Sequence, residues 1–222
     1  DACIDRNIKR VVALSTDKAS SPVNLYGATK MAADKLISAG NVYSGEKETK
    51  FANVRYGNVM GSRGSVIPFF IEQKDKGKIP ITDERMTRFM ITLDEAVKLV
   101  WKAFDDMEGG ETYVKKIPSM RVTDIAHAIA KDVAHQIIGI RPGEKLHEQM
   151  ISKDESNYTY EYDDYYKILP TVNDWAKSEE RIKGGKKVEE GFSYSSNDNK
   201  EWMSIESLQD WIENNKDKIG KI

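Results

Sequence analysis

Short β-branched runs alternate along the chain with stretches whose apolar residues return every three or four positions, the mark of strands and helices in succession. Val11-Val12-Ala13-Leu14-Ser15 lies between polar flanks and predicts a parallel strand buried on both faces. Pro22 cannot sit inside a helix and Asn24 can cap one, so a helix is predicted from Leu25 to Ala39, stopped by Gly40. Phe51 to Tyr56 reads as the next strand, and this strand–helix–strand order implies a right-handed crossover in a parallel sheet. A capping box at Thr92-Leu93-Asp94-Glu95 starts a helix to about Met107; Gly109-Gly110 end it before a strand at Glu111 to Val114. Further on, Thr123 caps a helix through Val133, Gln136 to Ile140 forms a strand, His147 and Ile151 share a helical face, and Ser204 caps a last helix carrying Trp211. Tyr158 to Tyr166 and Lys183 to Lys187 lack periodicity and read as surface loops. Asp1 to Ile8 has the spacing of the last turns of a helix without a cap, so the chain is expected to begin inside an element.

Composition narrows the function more than the fold. With 222 residues the chain can hold one large domain, or a nucleotide-binding domain with a smaller cap. Thirty-four basic against 36 acidic residues give a net charge of -2, so no broad basic surface is expected and nucleic acid is not an expected partner. The lone Cys3 excludes a disulfide framework within the chain and a multi-cysteine zinc site; it reads as a small buried apolar residue suited to a reducing cytoplasm. No apolar run approaches the ~20 residues that span a bilayer, so a cytoplasmic protein without a membrane partner is expected. His127, His135 and His147 share no ligand-like spacing with carboxylates, so no metal is expected. Met86, Met90 and the tryptophans, Trp101, Trp175, Trp202 and Trp211, read as packing residues.

The candidate chemistry sits in Ser15-Thr16-Asp17-Lys18 followed by Tyr26-Gly27-Ala28-Thr29-Lys30. Such a placement puts reactive groups at the C-terminal end of a strand and on the next helix, the edge at which open parallel sheets bind ligands. Tyr26 and Lys30 are one turn apart, so the ammonium can stabilise a phenolate. An exposed helix pair and a solvated Asp-Lys turn are the plain alternatives. The neighbours Asp17 and Lys18 offer an acid and a base side by side, and which would serve as which is left open because adjacent groups share protons.

A strand ending in a hydroxyl residue and followed by Tyr-x-x-x-Lys resembles the short-chain dehydrogenase/reductase superfamily. Within it, Ser15-Thr16-Asp17-Lys18-Ala19, Asn24 to Lys30, Arg55-Tyr56-Gly57-Asn58-Val59 and Arg141-Pro142-Gly143-Glu144-Lys145-Leu146-His147-Glu148 resemble the inverting UDP-N-acetylglucosamine 4,6-dehydratases. That resemblance implies an α/β fold: a partial Rossmann-like parallel sheet, the C-terminal half of an NADP-binding domain over 1–60 and 87–117. A smaller α+β substrate-binding region over 61–86 and 118–222 would complete it. It implies NADP, with NAD as the variant, a UDP-sugar substrate, no metal, and a homo-oligomer for the complete enzyme. Catalysis would rest on Thr16, Asp17, Lys18, Tyr26 and Lys30, with Lys18 favouring inversion at carbon 5; the resemblance suggests Lys18 as base and Asp17 as acid. Cofactor contacts would come from Ser15, Tyr26, Lys30, Tyr56, Gly57 and Asn58. Substrate contacts would come from Asn58, Arg63, Ser65, Val66, Arg88, Arg141 and Glu144.

A complete member would open with a strand and a Gly-x-x-Gly-x-x-Gly turn holding the cofactor pyrophosphate, and this chain has no such turn. The expectation is therefore an N-terminally truncated dehydratase. A UDP-sugar 4-epimerase, which would not need Asp17-Lys18, and an inactive sugar-nucleotide-binding fragment are the alternatives.

Overall fold

The computed structural model describes residues 1–171 and 178–221, so Trp175 lies outside the described residues. In chain order the elements begin with α1 (Ala2–Asp5), β1 (Arg10–Thr16), α2 (Leu25–Tyr43), β2 (Lys50–Tyr56), β3 (Asn58–Val59), α3 (Val66–Lys74), β4 (Lys78–Ile81), β5 (Thr87–Ile91) and α4 (Leu93–Asp106). They continue with β6 (Thr112–Lys115), β7 (Ser119–Arg121), α5 (Val122–Ile129), β8 (Ala134–Ile137), β9 (Gln149–Ile151), β10 (Thr159–Glu161) and β11 (Tyr165–Ile168). The last are α6 (Glu179–Ile182), β12 (Lys186–Lys187), β13 (Tyr194–Ser195) and α7 (Ile205–Asn214).

Residues 1–56, 95–116 and 149–194 form one compact unit around a six-stranded sheet in the order β1-β2-β6-β11-β10-β12. β1, β2 and β6 run parallel, with Val11 opposite Phe51 and Thr16 opposite Tyr56, as the βαβ pattern requires. Alternate residues of a strand face opposite sides. The side of Ala52, Val54 and Tyr113 packs on Leu99 and Ala103 of α4, and the side of Phe51, Asn53 and Arg55 meets α2. Helices on both faces of parallel strands make this the expected Rossmann-like mixed α/β arrangement.

Several expectations need correction here. β1 is the end strand of its sheet and Leu14 is 57% exposed, so it is not buried on both faces. α2 continues through Gly40, whose missing side chain lets Phe51 pack close: a Cβ there would lie 3.1 Å from the Phe51 ring. The stretch read as a Tyr-rich loop holds β10 and β11, because Tyr165 and Tyr166 are buried and aromatic residues suit a half-covered pleated surface. Lys183 takes the left-handed conformation and turns the chain into β12, which pairs with β10. Through these strands 149–194 joins the first unit, whereas the sequence reading grouped it with the substrate region. Cys3 is half-buried.

The second unit comprises 57–94, 117–148 and 195–222. β5 lies between β3 and β7, antiparallel to β7, and so belongs here although 87–94 was grouped with the parallel sheet. β4 and β8 form a separate parallel pair. α3, α5 and α7 close over a core that includes Ile67, Phe70, Ile79, Met86, Met90, Met120, Ile125 and Leu208. Met86 and Met90 are packing residues as expected, and Trp211 packs against this core, but Trp202 is 44% exposed. In the first unit Trp101 is 64% exposed. No helix forms at His147: the chain makes a bridge to Thr87 there, and the following residues extend as β9. α5 starts at Val122 with Arg121 at its cap, two residues ahead of the expected cap Thr123, while Ser204 caps α7 by accepting from the Ser207 amide at 3.1 Å. Among the described residues no helix is long and apolar enough to cross a membrane, and no group of His, Cys, Asp and Glu could hold a metal ion.

Candidate active site

The C-terminal end of β1 runs into a short 3-10 turn at Asp17–Ala19. Asp17 is wholly buried, and its Oδ1 accepts from the Thr16 hydroxyl at 2.8 Å and from Lys18 Nζ at 3.0 Å. The other oxygen, Oδ2, has no hydrogen-bond partner. Lys18 keeps 37% of its side chain exposed. The turn therefore presents an accessible amine backed by a buried carboxylate, and the Thr16 proton already points at Asp17.

α2 begins where Asn24 Oδ1 accepts from the Gly27 amide at 2.8 Å. A Cβ on Gly27 would fall 2.5 Å from the Lys18 carbonyl oxygen and 2.9 Å from Pro22 Cβ. Only glycine permits this approach, so the first turn of the helix sits directly on the Asp17–Ala19 turn. Tyr26 is 54% exposed, and Lys30 Nζ stands 5.8 Å from the centre of its ring, within range of a cation–π contact. Sequence-predicted Thr16, Asp17, Lys18, Tyr26 and Lys30 thus belong to two backbone segments in direct contact.

Ser15 faces the other way. Its hydroxyl donates to Asp34 Oδ2 at 2.8 Å, beneath the helix. Tyr56 ends β2 opposite Thr16, and burial pushes its phenol pKa up. Gly57 is explained by packing: a Cβ there would meet Phe89 Cβ at 2.5 Å.

In the second unit a cavity of about 340 Å³ gathers Asn58, Ser65, Val66, Arg88 and Arg141 from the expected substrate set. Phe69, Pro80, Thr82, Met86 and Ile138 complete much of its wall; read as ordinary apolar or loop residues, they carried no signal in the sequence. Asn58 Oδ1 and Ser65 Oγ are buried without partners, which suits a polar ligand. Arg88, by contrast, is engaged by the protein. Its Nη1 donates to the carbonyls of Thr87 (2.7 Å) and Leu146 (3.2 Å), and its Nη2 to Lys145 O (3.1 Å) and Met86 Sδ (3.4 Å). It clamps the 145–146 backbone instead of offering a free fork. Arg63 and Glu144 are not in the cavity wall; Glu144 lies 3.8 Å from the Arg141 guanidinium.

Sequence reasoning missed buried charges in the first unit, two of them where α2 meets the sheet. Asp34, one turn beyond Lys30, and Arg55 on β2 pair at 3.2 Å, and Arg55 also meets Glu155 at 3.1 Å. An acidic residue on the inward stripe of α2 was the available signal.

The chain is similar to known proteins over most of its length. The UDP-N-acetylglucosamine 4,6-dehydratase (inverting) of Campylobacter jejuni is 53% identical over 220 residues, covering 96% of this chain and 66% of the relative. The UDP-glucose 4-epimerase of Rickettsia rickettsii is 36% identical over 217 residues, covering 95% of this chain and 63% of its own length. The X-ray structure of Pen from Bacillus thuringiensis superposes with a TM-score of 0.82 at 36% identity, covering 96% of this chain and 64% of that one. This chain thus spans just under two thirds of the length of the relatives it matches. Matching the corresponding family model over residues 1–170, the chain belongs to the polysaccharide biosynthesis protein family.

Proposed function

We propose that the protein is a nucleotide-sugar 4,6-dehydratase that acts on UDP-N-acetylglucosamine and inverts carbon 5. The observation that carries this reading is the buried Asp17 carboxylate holding the Lys18 ammonium at the tip of β1, against the helix that bears Tyr26 and Lys30. An epimerase needs only the tyrosine–lysine pair, and the 53% identity to an inverting dehydratase favours the same side.

Tyr26 takes the proton of the sugar's 4-hydroxyl, with Lys30 stabilising the phenolate. Exposed Tyr26 and half-buried Lys30, one turn apart on one helical face, fit the ribose and nicotinamide end of NADP, with NAD as the variant. Bound there, that cofactor supplies the hydride acceptor for carbon 4 and the donor for carbon 6. The 4-keto group acidifies the carbon 5 hydrogen; Lys18, the accessible member of its pair, passes a proton to Asp17 across their 3.0 Å contact and, as the neutral amine, takes the carbon 5 proton. Asp17 gives a proton to the departing 6-hydroxyl, which leaves as water. Carbon 5 then takes a proton from solvent water on the opposite face, which is inversion. Within the second unit's own cavity, the unpartnered Asn58 Oδ1 can accept from an N–H or O–H group, the Ser65 hydroxyl can donate or accept, and the Arg141 guanidinium beside them suits a phosphate, polar groups of the kinds a UDP moiety carries.

Turnover in deuterated water tests the reading. A dehydratase releases a 4-keto-6-deoxy product carrying deuterium at carbon 5; recovery of only the 4-epimer would establish the epimerase instead.

A further inference from the structure

We infer that Asp34 is a positioning residue for the reaction, locking α2 in register on the sheet so that Tyr26 and Lys30 face the Thr16–Asp17–Lys18 turn. The inference rests on the proposed roles of Tyr26 and Lys30. Tyr26, Lys30 and Asp34 follow one another at four-residue steps, along one slowly drifting stripe of the helix. Asp34 is only 7% exposed, and a carboxylate in a helix–sheet interface is costly unless its partners are in place. Here they are specific. Oδ2 accepts from Ser15 Oγ at 2.8 Å and from Arg55 Nη2 at 3.2 Å, and Ser15 immediately precedes Thr16.

The lock extends down the helix. Asn53 Nδ2 donates to the Asp34 carbonyl at 3.1 Å and to Ser38 Oγ at 3.2 Å, and the Asn41 amide both accepts from Phe51 N and donates to Phe51 O. A slide of one residue, ~1.5 Å, would break all of these bonds at once and bury their unpaired groups. α4 meets the opposite face through Leu99 and Ala103, with polar contacts at its C-terminal end, where Asp106 accepts from Tyr113 and Lys167. The polar interface lies under the helix whose first turn carries the reacting side chains.

Two variants of the full-length protein test this against wild type: Asp34→Asn, and the double replacement Asp34→Leu with Arg55→Met, which leaves no unpaired charge between the two and leaves Glu155, partly exposed, held by Ser152. Amide exchange is followed by mass spectrometry across 25–36 and 95–106, and kcat and KM are measured separately. In the double variant, exchange across 25–36 should quicken on the order of tenfold while 95–106 is unchanged, and kcat should fall on the order of 30-fold with KM nearly constant. Asp34→Asn keeps an acceptor for Ser15 and should recover most of kcat. Unchanged exchange across 25–36 overturns the lock, whatever the substrate. Faster exchange with unchanged kcat, or an Asp34→Asn enzyme as slow as the double variant, overturns the positioning role. A wild type without dehydratase activity counts against the proposed function alone, and the exchange result still decides the lock.

Discussion

Replacing Gly27 by alanine should separate stability from activity. The added Cβ would stand 2.5 Å from the Lys18 carbonyl oxygen, and the obstacle is backbone, which cannot swing aside. Carbon and oxygen need roughly 3.2 Å, so the helix start must retreat by roughly 0.7 Å. Overpacking of this kind costs about 1–3 kcal/mol. Alanine returns up to about 1 kcal/mol in helix propensity and reduced freedom of the unfolded chain. The net loss of about 0–2 kcal/mol lowers Tm by only a few degrees in a domain of this size. Activity is far more exposed, because misplacing a reacting group by about 1 Å costs on the order of a hundredfold. We expect kcat for the 4-keto product to fall about 10- to 100-fold while thermal unfolding stays nearly unchanged. A Gly27→Ala enzyme with kcat within twofold of wild type would show that the contact between α2 and the Asp17–Ala19 turn is not what aligns Tyr26.

The buried pair of Lys167 (1% exposed side chain) and Asp106, 2.7 Å apart, predicts that Lys167→Met destabilises by about 3–5 kcal/mol, and that adding Asp106→Leu restores most of the loss, both read by urea unfolding. Burial raises the pKa of Glu111 above its ordinary 4.5, against the pull of its own amide bonds and Arg181. The folded state therefore binds this proton more tightly, and that contribution is full below 4.5 and lost as pH rises through the higher folded value. Glu111→Gln should remove this decline from a plot of stability against pH; an unaltered slope would refute the assignment. For the cavity of the second unit, Asn58→Ala and Ser65→Ala should each weaken binding of uridine diphosphate about 5- to 10-fold by calorimetry, the value of one hydrogen bond.

Where a single periodicity dominates, residues 25–39 or 93–106, the sequence carries the element plainly, and the catalytic candidates follow from it because four-residue spacing fixes their common face. The reading failed where tertiary contacts overrule local pattern. Tyr158 to Tyr166 lacks alternation because it is covered on both sides in part, by Phe192 and Tyr194 against Tyr166 and by Lys102 against Tyr165. Gly40 has the look of a helix stop, yet its role is to admit the Phe51 ring, a fact that lives eight residues past the helix end. Ser15 and Arg88 were chosen for their chemistry; each instead satisfies buried protein groups, and such pairings between distant segments leave no trace in spacing. Asp34 was missed for the same reason.

Because β1 terminates its sheet, one row of its amides and carbonyls lacks a neighbouring strand among the described residues, beside the outward Leu14. Such a border is a template for another extended segment to add on. Handled as this polypeptide alone, the material should self-associate as its concentration rises, and charged substitutions along that border, more than any repair of the interior, should govern how much of it stays dispersed.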